Sequence, residues 1–213
     1  TSSMNIVDKF TGVWNTSNGY VSHSFNQFIQ VDNGTLLGVD HGEGYPTALV
    51  LSKYVSDISS GNFQSGIATP CKSLTFMSLV NDTSIHYNYT GASLGAFEYS
   101  DSAYLIAGTK DTDSTATTRD VFITSMDKSS GETFTHFYSN YAGTDDSALT
   151  PHLVKTGNNS FILLWSNQGY VYYTAVDGTG QQVGTTHKMA GNLSDCAPIV
   201  SNGKAIWYTW KNQ

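Results

Sequence analysis

The stretch PHLVKTGNNSFILLWSNQGYVYYTAVDGTG, residues 151–180, is the part of the sequence that decides the fold class. It contains three short runs rich in Val, Leu, Ile, Phe and Tyr, and residues such as Gly, Asn and Asp separate each run from the next. Such runs bounded by turn formers are typical of β-strands, whereas apolar residues at helical spacing are almost absent. The stretch therefore predicts an antiparallel meander of three strands that closes at Asp177–Gly180.

The same order of runs recurs elsewhere in the chain. One copy spans Phe25–Lys53 and another spans Ala96–Asp127, while a fourth begins at Ala197 and stops after Tyr208, before a third strand. The spacing between copies approaches the period of propeller blades, about 40–50 residues, once two segments are treated as insertions. Those segments are Val55–Gly91 and Thr109–Arg119.

Repeated meanders of this kind predict an all-β fold, and more specifically a β-propeller-like one with four or five blades of antiparallel strands. A β-sandwich with a similar number of strands is the alternative. We expect residues 1–213 to form a single all-β domain. Because the last repeat lacks a strand, we also expect Met4–Asp8 to pair with Ala205–Tyr208 and to close that blade.

The charge balance excludes whole classes of partner. Ten Lys and Arg residues oppose 17 Asp and Glu residues, the net charge is −7, and Arg119 is the single arginine. Nucleic acid and polyphosphate require a basic stripe, so we expect neither as a partner. An arginine-rich site for acidic sugars is excluded on the same ground. Charged residues make up 13% of the chain, against about 25% in a typical soluble domain, so hydroxyl and amide groups dominate its polar surface.

Two further features concern the environment in which the protein works. No run of 18 apolar residues occurs, so we expect no membrane insertion. The first ten residues lack the basic and apolar regions of a signal peptide, as expected for a mature or excised domain of a larger multidomain protein. Cys71 and Cys196 are far apart in the chain, and the sequence leaves open whether they pair.

Three stretches carry a resemblance to a known group of proteins. Ser22–Phe28, Val39–Pro46 and Ser194–Ile199 resemble propeller-like repeats in large extracellular proteins of gut Firmicutes. The resemblance covers most of the chain. It implies a propeller-like fold and a secreted bacterial protein, located outside the cell or at the cell surface, and it assigns no catalytic residue.

The loops that precede the first strand of each repeat converge at one end of a propeller. This geometry would place His23, Ser93, Asp146 and Asp195 near a common axis. A histidine beside two carboxylates is suited to act as a general base, and the carboxylates are suited to hold a cation. Serine and aspartate at such positions also cap turns through backbone hydrogen bonds, so the sequence alone leaves both interpretations open.

A second group of polar residues lies in the glycine-rich segment 40–46, DHGEGYP. A glycosidase needs two carboxylates about 5–10 Å apart, which Asp40 and Glu43 are close enough in sequence to provide. The same pair is also suited to bind calcium, the one cofactor that the sequence suggests, or to stabilise a tight loop. If the protein is an enzyme, its candidate catalytic residues are Asp40, Glu43, Asp146 and Asp195.

Aromatic residues make up 13% of the chain. An aromatic ring packs against the C–H face of a sugar while nearby amides and carboxylates bond its hydroxyl groups. Trp165 and Trp207 occupy matching positions in two repeats, so we expect both in the core. The candidate ligand-binding residues lie instead at strand ends or in loops, and they are Trp14, Tyr20, His23, Tyr45, Tyr170 and Trp210.

These observations favour an extracellular, non-catalytic domain that recognises a neutral polysaccharide. One alternative is a small glycoside hydrolase or lyase on a propeller, and another is a protein-binding adhesive domain. The sequence contains no phosphate-binding loop, no zinc-ligand spacing and no nucleophile elbow, which removes the most readily recognised enzyme classes.

Overall fold

The computed structural model describes residues 28–42, 48–57, 72–78, 92–111, 118–144 and 146–210. Every regular element in these residues is a β-strand, so the prediction of an all-β fold is confirmed. Within the same residues there is no apolar helix long enough to cross a membrane. The chain divides into two compact units, Thr1–Asn88 and Tyr89–Gln213, and each contains its own antiparallel sheets.

The described part of the first unit is one sheet of four antiparallel strands in sequential order, called sheet A. Its strands are β1 Phe28–Asp32, β2 Thr35–Gly42, β3 Ala48–Asp57 and β4 Lys72–Ser78. Asn33 and Gly34 between β1 and β2 have φ angles of 47° and 78°, as a two-residue type I′ turn requires. Alternate residues of β2 and β3 form the buried face, namely Leu37, Val39, Leu49 and Leu51.

The second unit contains two further four-stranded antiparallel sheets, also in sequential order. Sheet B consists of β5 Ala92–Tyr99, β6 Ala103–Asp111, β7 Arg119–Asp127 and β8 Thr133–Phe137. Sheet C consists of β9 Leu149–Gly157, β10 Ser160–Asn167, β11 Tyr170–Asp177 and β12 Gln182–Ala190. The remaining strands form two short pairs, β13 Asn192–Leu193 with β16 Thr209–Trp210, and β14 Ile199–Ser201 with β15 Lys204–Ile206.

The prediction of three-stranded units is wrong, because sheets A, B and C each have a fourth strand at one edge. β4 lies inside the segment 55–91, which the sequence pattern predicts to be an insertion. The second predicted insertion, residues 109–119, is shorter than expected because Thr109 belongs to β6 and Arg119 begins β7. β12 is exposed at every position and β8 at all but one, so neither carries the apolar pattern of a buried strand. Backbone pairing with one neighbour, rather than burial, decides where such edge strands lie.

Sheets B and C pack face to face over a shared core. Alternate side chains of a strand point to opposite faces of its sheet, so each strand contributes every second residue to this core. The core residues from sheet B include Leu105, Ala107, Val121 and Ile123. Those from sheet C include Leu153, Phe161, Leu163, Trp165 and Val176.

The opposite face of sheet C is covered as well. Val154, Leu164 and Val171 form a second buried cluster with Leu193 of β13, and Trp207 packs against it. Both faces of sheet C are therefore apolar, which explains the unbroken apolar run FILLW in β10.

The two tryptophans expected in the core differ in burial. Trp165 is 1% exposed and stacks on Tyr172 with ring centroids 5.5 Å apart, which confirms its predicted place. Trp207 is only partly buried and packs against Tyr173 with centroids 5.7 Å apart. The difference arises because Trp165 lies between sheets B and C, whereas Trp207 belongs to the short final part of the fold.

The segment Met4–Asp8, predicted to pair with Ala205–Tyr208, lies outside the described residues. Closure of a propeller ring and the choice between propeller and sandwich therefore stay predictions.

Glu98 in β5 is a carboxyl group whose ionisation is linked to folding. Burial raises its pKa from the ordinary value of 4.5 to about 7, although the nearby Lys155 ammonium partly opposes this effect. Between pH 4.5 and about 7 the folded protein retains a proton that the unfolded chain releases. The stability contributed by Glu98 is therefore fully present below pH 4.5 and is lost as the pH rises through about 7.

We expect Glu98→Gln to remove this loss. At about pH 8 the variant should be more stable than wild type by about 1–2 kcal/mol, a figure reduced to allow for the partial exposure of the group. At about pH 4 the two proteins should have similar stability. Urea unfolding across this pH range measures the difference in stability between the two proteins. Burial lowers the pKa of His152, which gives the opposite pH dependence. This contribution cancels from the difference because both proteins contain His152. Equal stability at about pH 8 would contradict the prediction.

Candidate functional site

One end of sheet C collects polar and aromatic side chains that include three of the residues selected from the sequence. We call it the loop end and define it by Tyr141, Asp146, Gln168, Tyr170 and Trp210. It lies where β10 turns into β11, and the loop that precedes β9 reaches the same end.

The turn between β10 and β11 is a two-residue hairpin. Gln168 and Gly169 have φ angles of 46° and 76°, the left-handed values of a type I′ turn. The turn pairs Asn167 with Tyr170, so Tyr170 is the first residue of β11. Gln168 and Tyr170 therefore both lie at the tip of the hairpin.

A glycine junction leads from this hairpin to the last strands. Gly191, the residue after β12, donates its N–H to the carbonyl oxygen of Gly169 at 2.7 Å. Its φ angle is 131°, and a Cβ at this position would lie 3.2 Å from the Cβ of Thr209, so both conformation and space favour glycine.

This junction brings Trp210 to the loop end. Tyr170 pairs with Ala190 across the edge of sheet C. Only Gly191 separates Ala190 from β13, in which Asn192 pairs with Trp210. Two aromatic residues that are 40 positions apart in the sequence thus reach the same corner of the molecule.

Asp146 lies in the loop that connects sheets B and C. The Gln168 carboxamide donates a hydrogen bond to its carboxylate, and its own N–H donates to the Thr144 hydroxyl oxygen at 3.0 Å. The Thr144 hydroxyl donates in turn to the carbonyl oxygen of Tyr141 at 2.7 Å. These bonds attach the loop to the β10–β11 hairpin and keep the half-buried carboxylate at the surface.

Tyr141 connects the loop end to the core. The indole N–H of Trp165 donates to its hydroxyl oxygen at 3.2 Å, and its backbone N–H donates to the Asp120 carboxylate at 2.7 Å. Burial raises the pKa of Tyr141, so its hydroxyl keeps its proton at neutral pH. The half-buried ring is therefore held in place and still presents a hydrogen-bonding group toward the surface.

The two aromatic residues at the loop end are accessible. Tyr170 is 41% exposed and Trp210 is 52% exposed. The Lys188 ammonium lies 4.7 Å from the centroid of the Tyr170 ring, a cation–π contact that restrains the ring from one side. A restrained, exposed ring is suited to act as a platform because little side-chain entropy remains to be lost on binding.

Several residues selected from the sequence cannot be assigned to this site. Trp14, Tyr20, His23, Glu43 and Tyr45 lie outside the described residues. Asp40 belongs to β2, of which only the backbone is described at that position. The calcium site suggested for Asp40 and Glu43 therefore stays a prediction, and among the described residues no group of three His, Cys, Asp or Glu is placed to hold a metal ion.

Ser93 and Asp195, predicted to join Asp146 near one axis, have other local partners. The Ser93 hydroxyl lies 2.7 Å from that of Thr109 and bridges β5 and β6. Asp195 is exposed beside His152, whose Nε2 lies 3.0 Å from the carbonyl oxygen of Ser194. Burial lowers the pKa of His152.

The question of a disulfide stays open. Cys196 is exposed, while Cys71 lies outside the described residues.

The chain matches no protein-family model, no curated protein and no solved structure. The likeness to extracellular propeller-like repeats therefore depends on three short stretches of sequence. The functional interpretation accordingly depends on the chemistry of the loop end itself.

The loop end combines ring faces with a carboxamide, a carboxylate and a phenolic hydroxyl. Such a set is suited to bind neutral polar molecules with apolar faces. The sequence reasoning missed Tyr141 and Gln168. The Gln168–Gly169 turn between two strand patterns is a local signal that points to the hairpin tip. Tyr141 has no such signal, because contacts with distant residues such as Trp165 and Asp120 hold it at the site.

Proposed function

We propose that this protein is an extracellular, non-catalytic domain that binds a neutral polysaccharide at the loop end. The observation that carries the proposal is the presence of two exposed aromatic residues, Tyr170 and Trp210, at the corner that also holds Gln168 and Asp146. Sugars present an apolar C–H face and a rim of hydroxyl groups. The rings are suited to pack against the C–H face, and the carboxamide and carboxylate are suited to bond the hydroxyl groups.

The charge of the chain supports a neutral ligand rather than an acidic one. The net charge is −7 and there is one arginine, so a strongly anionic glycan would meet general repulsion. At the loop end the Lys188 ammonium lies over the Tyr170 ring, and this cation–π contact partly satisfies its positive charge. We accordingly expect no retention on heparin resin at about 0.15 M salt.

The packing of the second unit supports a propeller-like arrangement over a sandwich. A two-sheet sandwich buries one face of each sheet, whereas sheet C has one face on sheet B and the other on the cluster that includes Leu193. Consecutive sheets that each cover the next are typical of propeller blades. The proposal therefore includes the propeller-like arrangement of four or five blades that the repeats predict.

The binding proposal predicts the behaviour of platform variants. Tyr170→Ala and Trp210→Ala should each weaken binding by about 1–3 kcal/mol, or about 5- to 150-fold in Kd, because each removes a ring face from the site. Their melting temperatures should change little, since both rings are largely outside the core. Pull-down on insoluble starch, xylan and mannan identifies the glycan, and calorimetry with a soluble form of it measures the Kd values.

Phe137→Ala is the matched control, because Phe137 is an exposed ring on β8 of sheet B. It should bind the glycan as wild type does. Tyr170→Ala and Trp210→Ala proteins that bind normally would refute the proposed site. Release of reducing sugar by the wild-type protein would refute the non-catalytic part of the proposal, and no binding across a broad neutral glycan panel would refute the function.

A further inference from the structure

A cleft of about 230 Å³ opens between β8 of sheet B and the turn that joins β11 to β12 of sheet C. We call it the outer cleft. It lies at the end of β11 that carries Asp177, whereas Tyr170 at the loop end is the first residue of the same eight-residue strand. A strand of that length spans about 23 Å, so the outer cleft is separate from the loop end.

The first wall of the outer cleft is one face of β8. Phe134 and His136 line it, and Phe134 is 57% exposed. Side chains alternate along a strand, and the intervening residues serve the other face of sheet B. There the Thr135 hydroxyl lies 2.9 Å from that of Thr124, and the Phe137 ring packs on Phe122 with centroids 6.1 Å apart.

The second wall is the turn between β11 and β12, and it is held in place by several contacts. The Asp177 carboxylate accepts hydrogen bonds from the N–H groups of Thr179 at 2.8 Å and Gln181 at 3.0 Å. The Tyr138 hydroxyl donates to the carbonyl oxygen of Gly180. Gly180 itself is buried against Ile123 of the core. This wall is therefore ordered before any ligand arrives, which reduces the entropy lost on binding.

Two polar side chains that make no hydrogen bond within the described residues face this space. Within the described part of the chain, neither the His136 ring nor the Gln181 carboxamide makes a hydrogen bond, although both line the cleft. Asp127 lies at the same site. Hydrogen bonds from the Ser129 hydroxyl and from the N–H groups of Ser130 and Ser129 lower the pKa of Asp127 to about 2, so it stays an ionised acceptor at neutral pH.

These features define the chemistry of a ligand. An exposed phenyl ring offers an apolar face, the carboxamide both donates and accepts, and the imidazole does either according to its tautomer. The carboxylates of Asp127 and Asp177 disfavour an anion. The volume is below the roughly 300–1,000 Å³ of pockets for drug-sized ligands, which favours a small ligand.

We propose that the outer cleft is a second binding site, which takes a single neutral sugar residue. The sugar packs its C–H face on Phe134, and its hydroxyl groups bond to His136, Gln181 and Asp127. This site acts independently of the loop end, and together the two sites let one molecule hold two chains, or two parts of one chain, of a polysaccharide. Simultaneous engagement raises the overall avidity above that of either site alone.

The test is a nuclear magnetic resonance titration of the full chain with the methyl glycosides of glucose, galactose, mannose and xylose, each used separately. We expect at least one glycoside to shift the backbone amide signals of Phe134, His136 and Gln181. Phe134→Ala should weaken that binding roughly tenfold or more, and the control Phe137→Ala, which alters the same strand on the opposite face, should bind as wild type does. If Phe134→Ala unfolds, Gln181→Ala gives the same readout, because the Gln181 side chain is exposed and makes no hydrogen bond within the described residues.

Two results would overturn the inference. One is the absence of any amide shift at the outer cleft with all four glycosides at high millimolar concentration. The other is a folded Phe134→Ala or Gln181→Ala protein that binds as tightly as wild type. The amide signals of Gln168 and Tyr170 report the loop end in the same spectra, so the failure of one site is distinguishable from the failure of the other.

Discussion

Gly95→Ala is expected to destabilise the second unit by about 3–5 kcal/mol, the range in which a single substitution reveals a specific steric conflict. A Cβ at this position in β5 would lie 1.8 Å from the carbonyl oxygen of Pro151 and 2.6 Å from its carbonyl carbon. Both atoms belong to the backbone of β9, so no side-chain rotation relieves the overlap. β5 and β9 must therefore separate, and the core between sheets B and C separates with them.

Thermal unfolding monitored by circular dichroism measures this effect, which corresponds to a decrease in Tm of roughly 10–20 °C for a unit of this size. Gly157→Ala is the matched control. A Cβ there would lie 2.6 Å from the hydroxyl oxygen of Ser160, an atom at the end of a rotatable side chain. The control should cost less than about 1 kcal/mol. A Gly95→Ala protein with the melting temperature of wild type would contradict the close approach of β5 to β9.

Trp165→Ala is expected to cost about 3–5 kcal/mol, as truncation of a large core side chain does. Trp165 is 1% exposed, stacks on Tyr172, and donates its indole N–H to the hydroxyl of Tyr141. Its removal leaves a cavity between sheets B and C, and also removes the hydrogen bond that the indole N–H donates to the Tyr141 hydroxyl. Denaturant unfolding measures the first consequence. The second consequence is weaker glycan binding at the loop end, because Tyr141 loses the hydrogen bond from Trp165 that helps to hold it in place.

Two variants separate these consequences. Trp165→Phe keeps much of the ring volume but removes the N–H donor, so it should cost less stability than Trp165→Ala, with about 1–2 kcal/mol attributable to the lost hydrogen bond. Trp210→Ala removes a tryptophan that is 52% exposed and should leave stability nearly unchanged. If Trp165→Ala and Trp210→Ala lose equal stability, the contrast between a core ring and a platform ring is wrong.

The loop end was predictable in part. The exposure of Tyr170 and Trp210 follows from their places at strand ends, and the sequence already suggested both as ligand platforms. Their place at the same end of sheet C as Asp146 was not predicted, because the sequence pattern grouped Asp146 with His23, Ser93 and Asp195 instead. It depends on the Gln168 hydrogen bond and on the Gly191 junction, which join segments that the sequence keeps far apart.

The outer cleft was not predictable. Phe134 and Gln181 lie in exposed segments with no apolar pattern, and nothing near either residue in the sequence points to the other. They meet because Tyr138 and Gly180 hold the β11–β12 turn of sheet C against sheet B.

The sequence by itself determined that the chain is all-β, that its meanders repeat, and that Trp165 is buried. These properties depend on which residues of a single strand are buried, either every second one or several in a row. Buried positions are apolar, so the order of apolar residues in the sequence predicts them. Only the tertiary structure decided that sheets A, B and C each have a fourth strand and which side chains share a site. Edge strands such as β12 are located by backbone hydrogen bonds, to which every residue type except proline contributes alike. The sites are located by packing between sheets, which joins residues without any regular spacing between them in the sequence.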